Sequence, residues 1–192
     1  MNRRSFVLTS VLALPPFLAF APGADASTQR LLTLEELLEI STYVVVGTPG
    51  ERRSLWEEMP SGRRIVTYTR LAVERAVAGA PGTELWVRTL GGAVDKIGQA
   101  VPGEAQLAPG AQALLFLADV RGVVVVASMA QGHYPIVLDD KGTPRVTGSR
   151  DVGMLLPRPG PSVSARERLA GGTVEDAVSL VKQIRKARDA QK

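Results

Sequence analysis

Residues 64–77 read RIVTYTRLAVERAV, which is the longest β pattern in this chain of 192 residues. From residue 70 onward apolar residues alternate with polar or small ones, as expected of a strand with one buried face. Upstream, Ile65, Val66 and Tyr68 do not keep that alternation, which indicates a bulge or a bend. An extended run of this length would span about 46 Å at 3.3 Å per residue. We therefore expect a bent strand that serves two faces of a small barrel.

Further strands flank this stretch on both sides. The predicted strands are Tyr43–Thr48 and Glu84–Leu90, followed by two hairpins, Ala113–Ala118 with Val123–Ser128 and His133–Leu138 with Pro144–Thr147. Residues 51–62 are polar and end in Pro-Ser-Gly, so we interpret them as a loop or an irregular hairpin. Residues 91–110 are rich in glycine and proline, which predicts a long loop with one short strand near 99–101.

Two helices are predicted from their capping signals. Thr33 with Glu36 three residues later forms a capping box, which predicts a short helix over residues 33–40. Thr173 with Asp176 caps a final amphipathic helix in the same way. Its predicted apolar face consists of Val174, Ala177, Val178, Val181 and Ile184.

These elements predict a mainly β fold, namely a small OB-like β-barrel with a short N-terminal helix and a C-terminal amphipathic helix. The expected organisation is a signal peptide at 1–26, the β-barrel domain at 27–148, a Pro/Gly/Ser-rich connection at 149–172 and the final helix at 173–192.

The first 26 residues have the pattern of an export signal. Arg3 and Arg4 precede an apolar stretch of about 16 residues, and Ala24 and Ala26 form a small-x-small site that predicts cleavage before Ser27. The paired arginines favour the twin-arginine route, with an ordinary Sec signal as the alternative. The apolar stretch is shorter than the roughly 20 residues that span a bilayer. We expect a periplasmic or secreted protein with no stable membrane span after cleavage.

Composition excludes several classes of function. The chain has no cysteine and one histidine, which rules out disulfides, thiolate ligands, a catalytic thiol and a multi-histidine metal site. The net charge is +4, but the first 26 residues contribute +1 and residues 182–192 contribute +4, which leaves the body at −1. The sequence contains no P-loop, no G-x-G-x-x-G and no G-x-S-x-G. We therefore expect no nucleic-acid partner, no cofactor, no metal and no catalytic residues.

The order of elements from Leu34 to Val137 is similar to that of the netrin-type module, which includes the inhibitory domain of the tissue inhibitors of metalloproteinases. The resemblance rests on a strand at 43–47 after a short helix, a strand that ends in a glycine turn at 70–79, and a glycine-led apolar strand at 109–117. That family chelates the protease zinc with an N-terminal cysteine and is laced with disulfides. This chain has no cysteine, so neither the mechanism nor any inhibitory residue is carried over.

A second set of residues resembles exported bacterial proteins with no assigned function. The resemblance rests on Gly91-Gly92, Ile97-Gly98-Gln99, Val101, Gly103-Glu104-Ala105, Phe116-Leu117 and Gln131-Gly132-His133-Tyr134. This second resemblance implies no catalytic or ligand-binding chemistry. From this set and the loop at 91–110 we take the candidate interaction residues Gly91, Gly92, Gly98, Gln99, Gln131, His133 and Tyr134.

Each candidate has a structural alternative. Gly91 and Gly92 permit close backbone approach either by a partner or by the domain's own chain. His133 is either a hydrolytic residue with Ser128, Asp139 or Asp140 near it in sequence, or a hydrogen-bonded histidine at the end of a strand. Arg52, Arg53, Arg63 and Arg64 form either a basic rim for an anionic partner or a solvated surface.

The sequence thus predicts an exported, non-enzymatic binding or interaction module, with an exported protein as one candidate partner and the ligand left open. The alternatives are a periplasmic protease inhibitor that acts by loop or strand docking, and a hydrolase that uses His133.

Overall fold

A computed structural model describes residues 29–157, 160 and 162–190. The predicted signal peptide, including Arg3, Arg4, Ala24 and Ala26, lies outside these residues. The strands are β1 (Gln29–Arg30), β2 (Tyr43–Met59), β3 (Gly62–Ala78), β4 (Glu84–Leu90), β5 (Gly92–Val94), β6 (Ile97–Gln99), β7 (Ala113–Val120), β8 (Val123–Val126), β9 (His133–Leu138), β10 (Pro144–Val146) and β11 (Leu155–Leu156). The helices are α1 (Leu34–Glu39), α2 (Ala165–Leu169) and α3 (Val174–Asp189), with a 3₁₀ turn at Met129–Gly132. Within this part of the chain no helix is both long and apolar enough to cross a membrane.

The fold is mainly β, as predicted, and its main sheet is ring-like. Strands β2, β3 and β4 form an antiparallel meander, and β7 pairs antiparallel with β2. β8 pairs antiparallel with β7 and parallel with β4. Each of the strands β2, β3, β4, β8 and β7 is therefore paired with the next, and β7 is paired with β2. β9 and β10 extend the sheet outward from β7.

The deciding stretch is a long strand with irregular pairing, as expected, but the irregularity is not upstream of residue 70, where Gly62 to Thr69 pair with β2 without a shift. Strands β2 and β3 pair from Val44 to Met59 with register shifts after Val44, after Val46 and after Pro49, which are the places where the hairpin bends. The prediction that Ile65 breaks the alternation was wrong. Ile65 lies an even number of residues before Leu71, so both side chains point to the same face of β3, and both are fully buried.

The interpretation of residues 51–62 as a loop was wrong. β2 continues through Pro49 to Met59, and a two-residue turn leads directly into β3 at Gly62, where φ is +98°. The hairpin that was the alternative interpretation is present, and it is regular. Opposite charges face each other across it, with Glu57 opposite Arg64 and Glu58 opposite Arg63, and such cross-strand pairs stabilise a polar strand.

Two apolar cores share one wall of strands. Residues of the first core fill the ring, among them Val45, Leu71, Val87, Leu115 and Leu117. The second core lies outside β2, β7 and β9, where α1, α2 and α3 cover Val44, Val46, Leu114, Phe116 and Tyr134. Because both faces of β2 and β7 are buried here, residues 44–46 and 114–117 are continuous apolar runs without alternation.

The helices begin where their capping boxes predict. The Thr33 and Thr173 hydroxyls accept hydrogen bonds from the backbone N–H groups of Glu36 and Asp176. The carboxylates of Glu36 and Asp176 in turn accept from the backbone N–H groups of the two threonines. Helix α3 packs on the second core through Ala177, Val178 and Val181.

Two connections contain structure that was not predicted. The segment from 149 to 172 holds β11 and helix α2, which has its own capping box at Ser164. The loop at 91–110 holds the β5–β6 hairpin, so its short strand lies at Ile97–Gln99 and not at 99–101.

Candidate functional site

The glycines at the start of the long loop are needed by the domain's own packing. Gly91 has φ +88°, and a Cβ there would lie 2.6 Å from the carbonyl oxygen of Gln99. Gly92 has φ +131°, and a Cβ there would overlap Thr67 Oγ1 and lie 2.6 Å from Ser54 Oγ. The close approach at both positions is therefore made by this chain.

Gln99 belongs to the same packing contact. Its Oε1 accepts a hydrogen bond from the backbone N–H of Ile65 at 2.7 Å, and Gly91 N–H donates to the Ile65 carbonyl at 2.7 Å. Gly98 has no close neighbour, since the nearest heavy atom to a Cβ there would be Gly92 O at 4.0 Å. The β5–β6 hairpin is thus fastened to β3 through Gln99 and Gly91.

Gln131 ties the N-terminal strand to the sheet. Its Oε1 accepts from Leu32 N–H at 3.0 Å, and its Nε2 donates to the Arg30 carbonyl and to Gln29 Oε1, both at 3.1 Å. Tyr134 lies in the second core with its ring edge against Phe116, and burial raises the pKa of its hydroxyl. Both side chains are buried.

His133 begins β9 and is 6% exposed. Its Nδ1 is buried and has no hydrogen-bond partner among the described residues. Burial lowers the pKa of His133, and the charge of nearby Asp151 opposes that shift. His133 and Asp151 both line a groove of about 510 Å³ beside β9.

Two of the groups proposed to act with His133 in a hydrolase, Ser128 and Asp139, are engaged in other hydrogen bonds. Ser128 Oγ accepts from Gln131 Nε2 at 3.2 Å, and Asp139 accepts from the backbone N–H groups of its own turn. Ser149 Oγ donates to Asp151 Oδ2 at 3.2 Å. Within the described ranges, no three His, Cys, Asp or Glu side chains are grouped to hold a metal ion.

A group of side chains, of which the sequence singled out only Arg53, lies on the outer face of β2, β3 and β4. Register places Arg53, Tyr68 and Arg88 in one row across the three strands, and Arg70 with Trp86 in the next. The Arg53 guanidinium lies 5.0 Å from the centre of the Trp86 ring. We call the set Arg53, Glu57, Tyr68, Arg70, Trp86 and Arg88 the arginine–aromatic face.

Glu57 connects the strands of this face. Its Oε1 accepts from the Tyr68 hydroxyl at 2.6 Å, and its Oε2 accepts from Arg88 Nη1 at 2.8 Å. Burial, and then the hydrogen bond to Glu57, raise the pKa of Tyr68. The carboxylate therefore holds the Tyr68 hydroxyl and the Arg88 guanidinium in fixed positions.

The charges of the arginine–aromatic face are largely paired. Arg53 Nε lies 2.7 Å from Glu51 Oε1, and Arg70 Nη1 lies 3.6 Å from Glu84 Oε2. The Arg88–Glu57 pair is the least exposed of these three, at 20% and 25%. Exposed pairs of this kind contribute about 0.2–1 kcal/mol each, so their main consequence is a nearly neutral surface.

The predicted basic rim does not exist as one surface. Adjacent residues of a strand point to opposite faces, so Arg52 and Arg53 are separated, and so are Arg63 and Arg64. Arg63 lies 5.0 Å from the centre of the Trp56 ring, on the face opposite Arg53 and Trp86. The signal for the arginine–aromatic face was the two-residue spacing of Arg53, Leu55 and Glu57 and of Trp86 and Arg88, which becomes visible only when residues 51–59 are taken as a strand.

No family model matches the chain, and neither does any curated protein or solved structure with which it was compared. A function for this molecule therefore has to come from the geometry described above.

Proposed function

We propose that this chain is an exported, non-enzymatic binding module on an OB-like barrel, and that the arginine–aromatic face is its ligand surface. One observation carries the proposal. The described helices cover the β7 side of the ring, while the opposite side presents two aromatic rings among three arginines, exposed or half-buried, on three adjacent strands.

The OB-like assignment is supported by the order of strand pairing. Around the ring, β2 is followed by β3, β4, β8 and β7, and the single parallel contact is between β4 and β8. An OB barrel pairs its five strands in this circular order, and it binds ligands on the face formed by its second and third strands. Those strands correspond here to β3 and β4, which carry Tyr68, Arg70, Trp86 and Arg88.

Export is proposed on the residues of the leader alone. Arg3 and Arg4 before an apolar stretch favour the twin-arginine route, and the small residues Ala24 and Ala26 favour cleavage before Ser27. A chain without cysteine has no need of oxidative folding after export, which is consistent with translocation in the folded state.

The test compares two tryptophan variants of the processed chain, Ser27–Lys192. Immobilised wild-type, Trp86→Ala and Trp56→Ala proteins are incubated with cell-envelope extract, and the retained protein and carbohydrate are identified. Trp56 is the matched control, because it has the same stacked arginine at 5.0 Å but lies on the other face of the hairpin. We expect retained material to be lost with Trp86→Ala and kept with Trp56→Ala. Equal retention by both variants would remove this face as the ligand surface.

A protease inhibitor that acts by strand docking is the second candidate, because the outer half of β2 is an open edge. Among the described strands, β7 pairs with β2 only from Tyr43 to Gly47, so residues 52–59 are paired on one side, by β3. An extended segment of a protease can add to such an edge. Recovery of an envelope protease that wild-type protein inhibits in a peptide-cleavage assay would favour this function over the first.

A further inference from the structure

We infer that the ligand of the arginine–aromatic face is an uncharged glycan chain, an inference that rests on the binding function proposed above. The first observation concerns Trp86. The group that covers its ring is the Arg53 side chain, which is itself 65% exposed. A ring covered by a surface arginine can exchange that contact for the apolar C–H face of a sugar ring.

The second observation concerns the polar groups beside the ring. The Glu57 carboxylate has about four lone-pair positions, and two of them accept the hydrogen bonds from Tyr68 and Arg88. The Arg88 guanidinium has five N–H donors, and one of them donates to Glu57. Acceptor and donor are thus fixed side by side, with capacity left on each. Neighbouring sugar hydroxyls each donate and accept one bond, so this pair of planar groups matches them.

The third observation is the distance along β4. Trp86 and Arg88 are two residues apart on the same face, which is about 6.6 Å at 3.3 Å per residue. That spacing is comparable to one sugar unit of an extended chain. A glycan that runs along β4 therefore stacks one unit on Trp86 and hydrogen-bonds the next to Arg88 and Glu57.

Charge distinguishes this ligand from an anionic polymer. Binding to a polyanion depends on cations that are free to replace its counterions. On this face Arg53 is paired with Glu51, Arg70 with Glu84 and Arg88 with Glu57. Arg64, which lies opposite Glu57 in the register, adds one further cation to this face. The three ion pairs themselves give a polyanion little net attraction, while they keep hydrogen-bonding capacity for an uncharged ligand.

The experiment is affinity electrophoresis of the processed chain in native gels containing one polymer each. The uncharged probes are dextran, hydroxyethyl cellulose and glycol chitin, and the anionic probes are polygalacturonate and dextran sulfate. We expect retardation by at least one uncharged probe, unchanged in 0.5 M NaCl. The apparent affinity should fall about tenfold in Trp86→Ala and remain unchanged in Trp56→Ala. Equal urea midpoints for the two variants serve as the folding control.

Glu57→Gln separates the two kinds of ligand by the sign of its effect. For an uncharged glycan the substitution removes acceptor strength and lowers the affinity about threefold to tenfold. For a polyanion it removes a repelling charge and raises the affinity, in a salt-sensitive way.

Tighter, salt-sensitive binding of dextran sulfate or polygalacturonate in Glu57→Gln would overturn the inference. Retardation by no polymer, together with envelope protein retained in a Trp86-dependent way, would overturn the glycan and leave the binding function standing. Retention that is independent of Trp86 would instead remove the binding function itself.

Discussion

Gly92→Ala tests whether the long loop is shaped by the domain's own packing. Gly92 has φ +131°, a conformation that side chains rarely adopt, and its missing Cβ would collide with hydroxyls from two other strands, Ser54 Oγ on β2 and Thr67 Oγ1 on β3. The backbone strain costs about 1–3 kcal/mol, and overpacking against two fixed groups costs about 1–3 kcal/mol more. We therefore expect a loss of about 2–6 kcal/mol, a large share of the 5–15 kcal/mol typical of a domain.

The assay is urea unfolding of the processed chain, followed by tryptophan fluorescence. With an m-value of about 2 kcal/mol/M, a loss of about 4 kcal/mol lowers the unfolding midpoint by about 2 M. Gly98→Ala is the matched control in the same hairpin, because a Cβ there would have its nearest neighbour at 4.0 Å. That substitution should leave the midpoint unchanged or raise it slightly, by about 0.4–1 kcal/mol of stability.

Equal midpoints for the two variants would refute the reasoning. Gly92 would then not be required by Ser54 and Thr67, and approach by a partner would again account for the glycine pair. A lower midpoint in both variants would show that the hairpin tolerates no side chain at either position, against the space seen around Gly98.

Three further predictions concern other residues. Gln131→Leu leaves the Leu32 N–H and the Arg30 carbonyl without their partner, so we expect a loss of about 2–4 kcal/mol in urea unfolding and faster proteolysis near residue 30, with Gln106→Leu as a surface control. Because burial lowers the pKa of His133, the unfolded chain binds a proton that the native imidazole does not. Stability should therefore fall by up to about 1.4 kcal/mol per pH unit below about pH 6.5, and His133→Gln should flatten the curve there; identical curves would contradict the shift. Changing Arg3 and Arg4 to Lys should leave precursor in the cytoplasm, whereas normal export would indicate the Sec route.

Local chemistry made much of the fold predictable. The turns that join β7 to β8 and β9 to β10 have Gly122 and Gly142 at φ +84° and +75°, positions that the sequence marks by glycine after polar residues. The capping boxes at Thr33 and Thr173 likewise depend on residues three apart. Features set by neighbouring residues are visible in one sequence.

Features set by distant pairing were not visible. Residues 51–59 are charged and have little apolar alternation, and they form a strand because β3 supplies partners for them. The arginine–aromatic face combines residues from 53 to 88 that only the register of three strands brings together.

The side-chain directions near His133 were also beyond local rules. Ser128 and Met129 both have positive φ, at 51° and 55°, although neither is glycine. These two residues turn the chain between β8 and β9, and Gln131 and Tyr134 consequently point inward.

The wall shared by the two cores has a consequence for how the protein is made. Val44, Val46, Leu114 and Phe116 are covered on their outer side by Ala177, Val178 and Val181, which are synthesised after every strand of the ring. Until α3 emerges from the ribosome, two uncharged strand segments expose an apolar face that other nascent chains can contact. A ribosome that stops before residue 174 would therefore release a product prone to aggregate, even though every strand of the ring is already present.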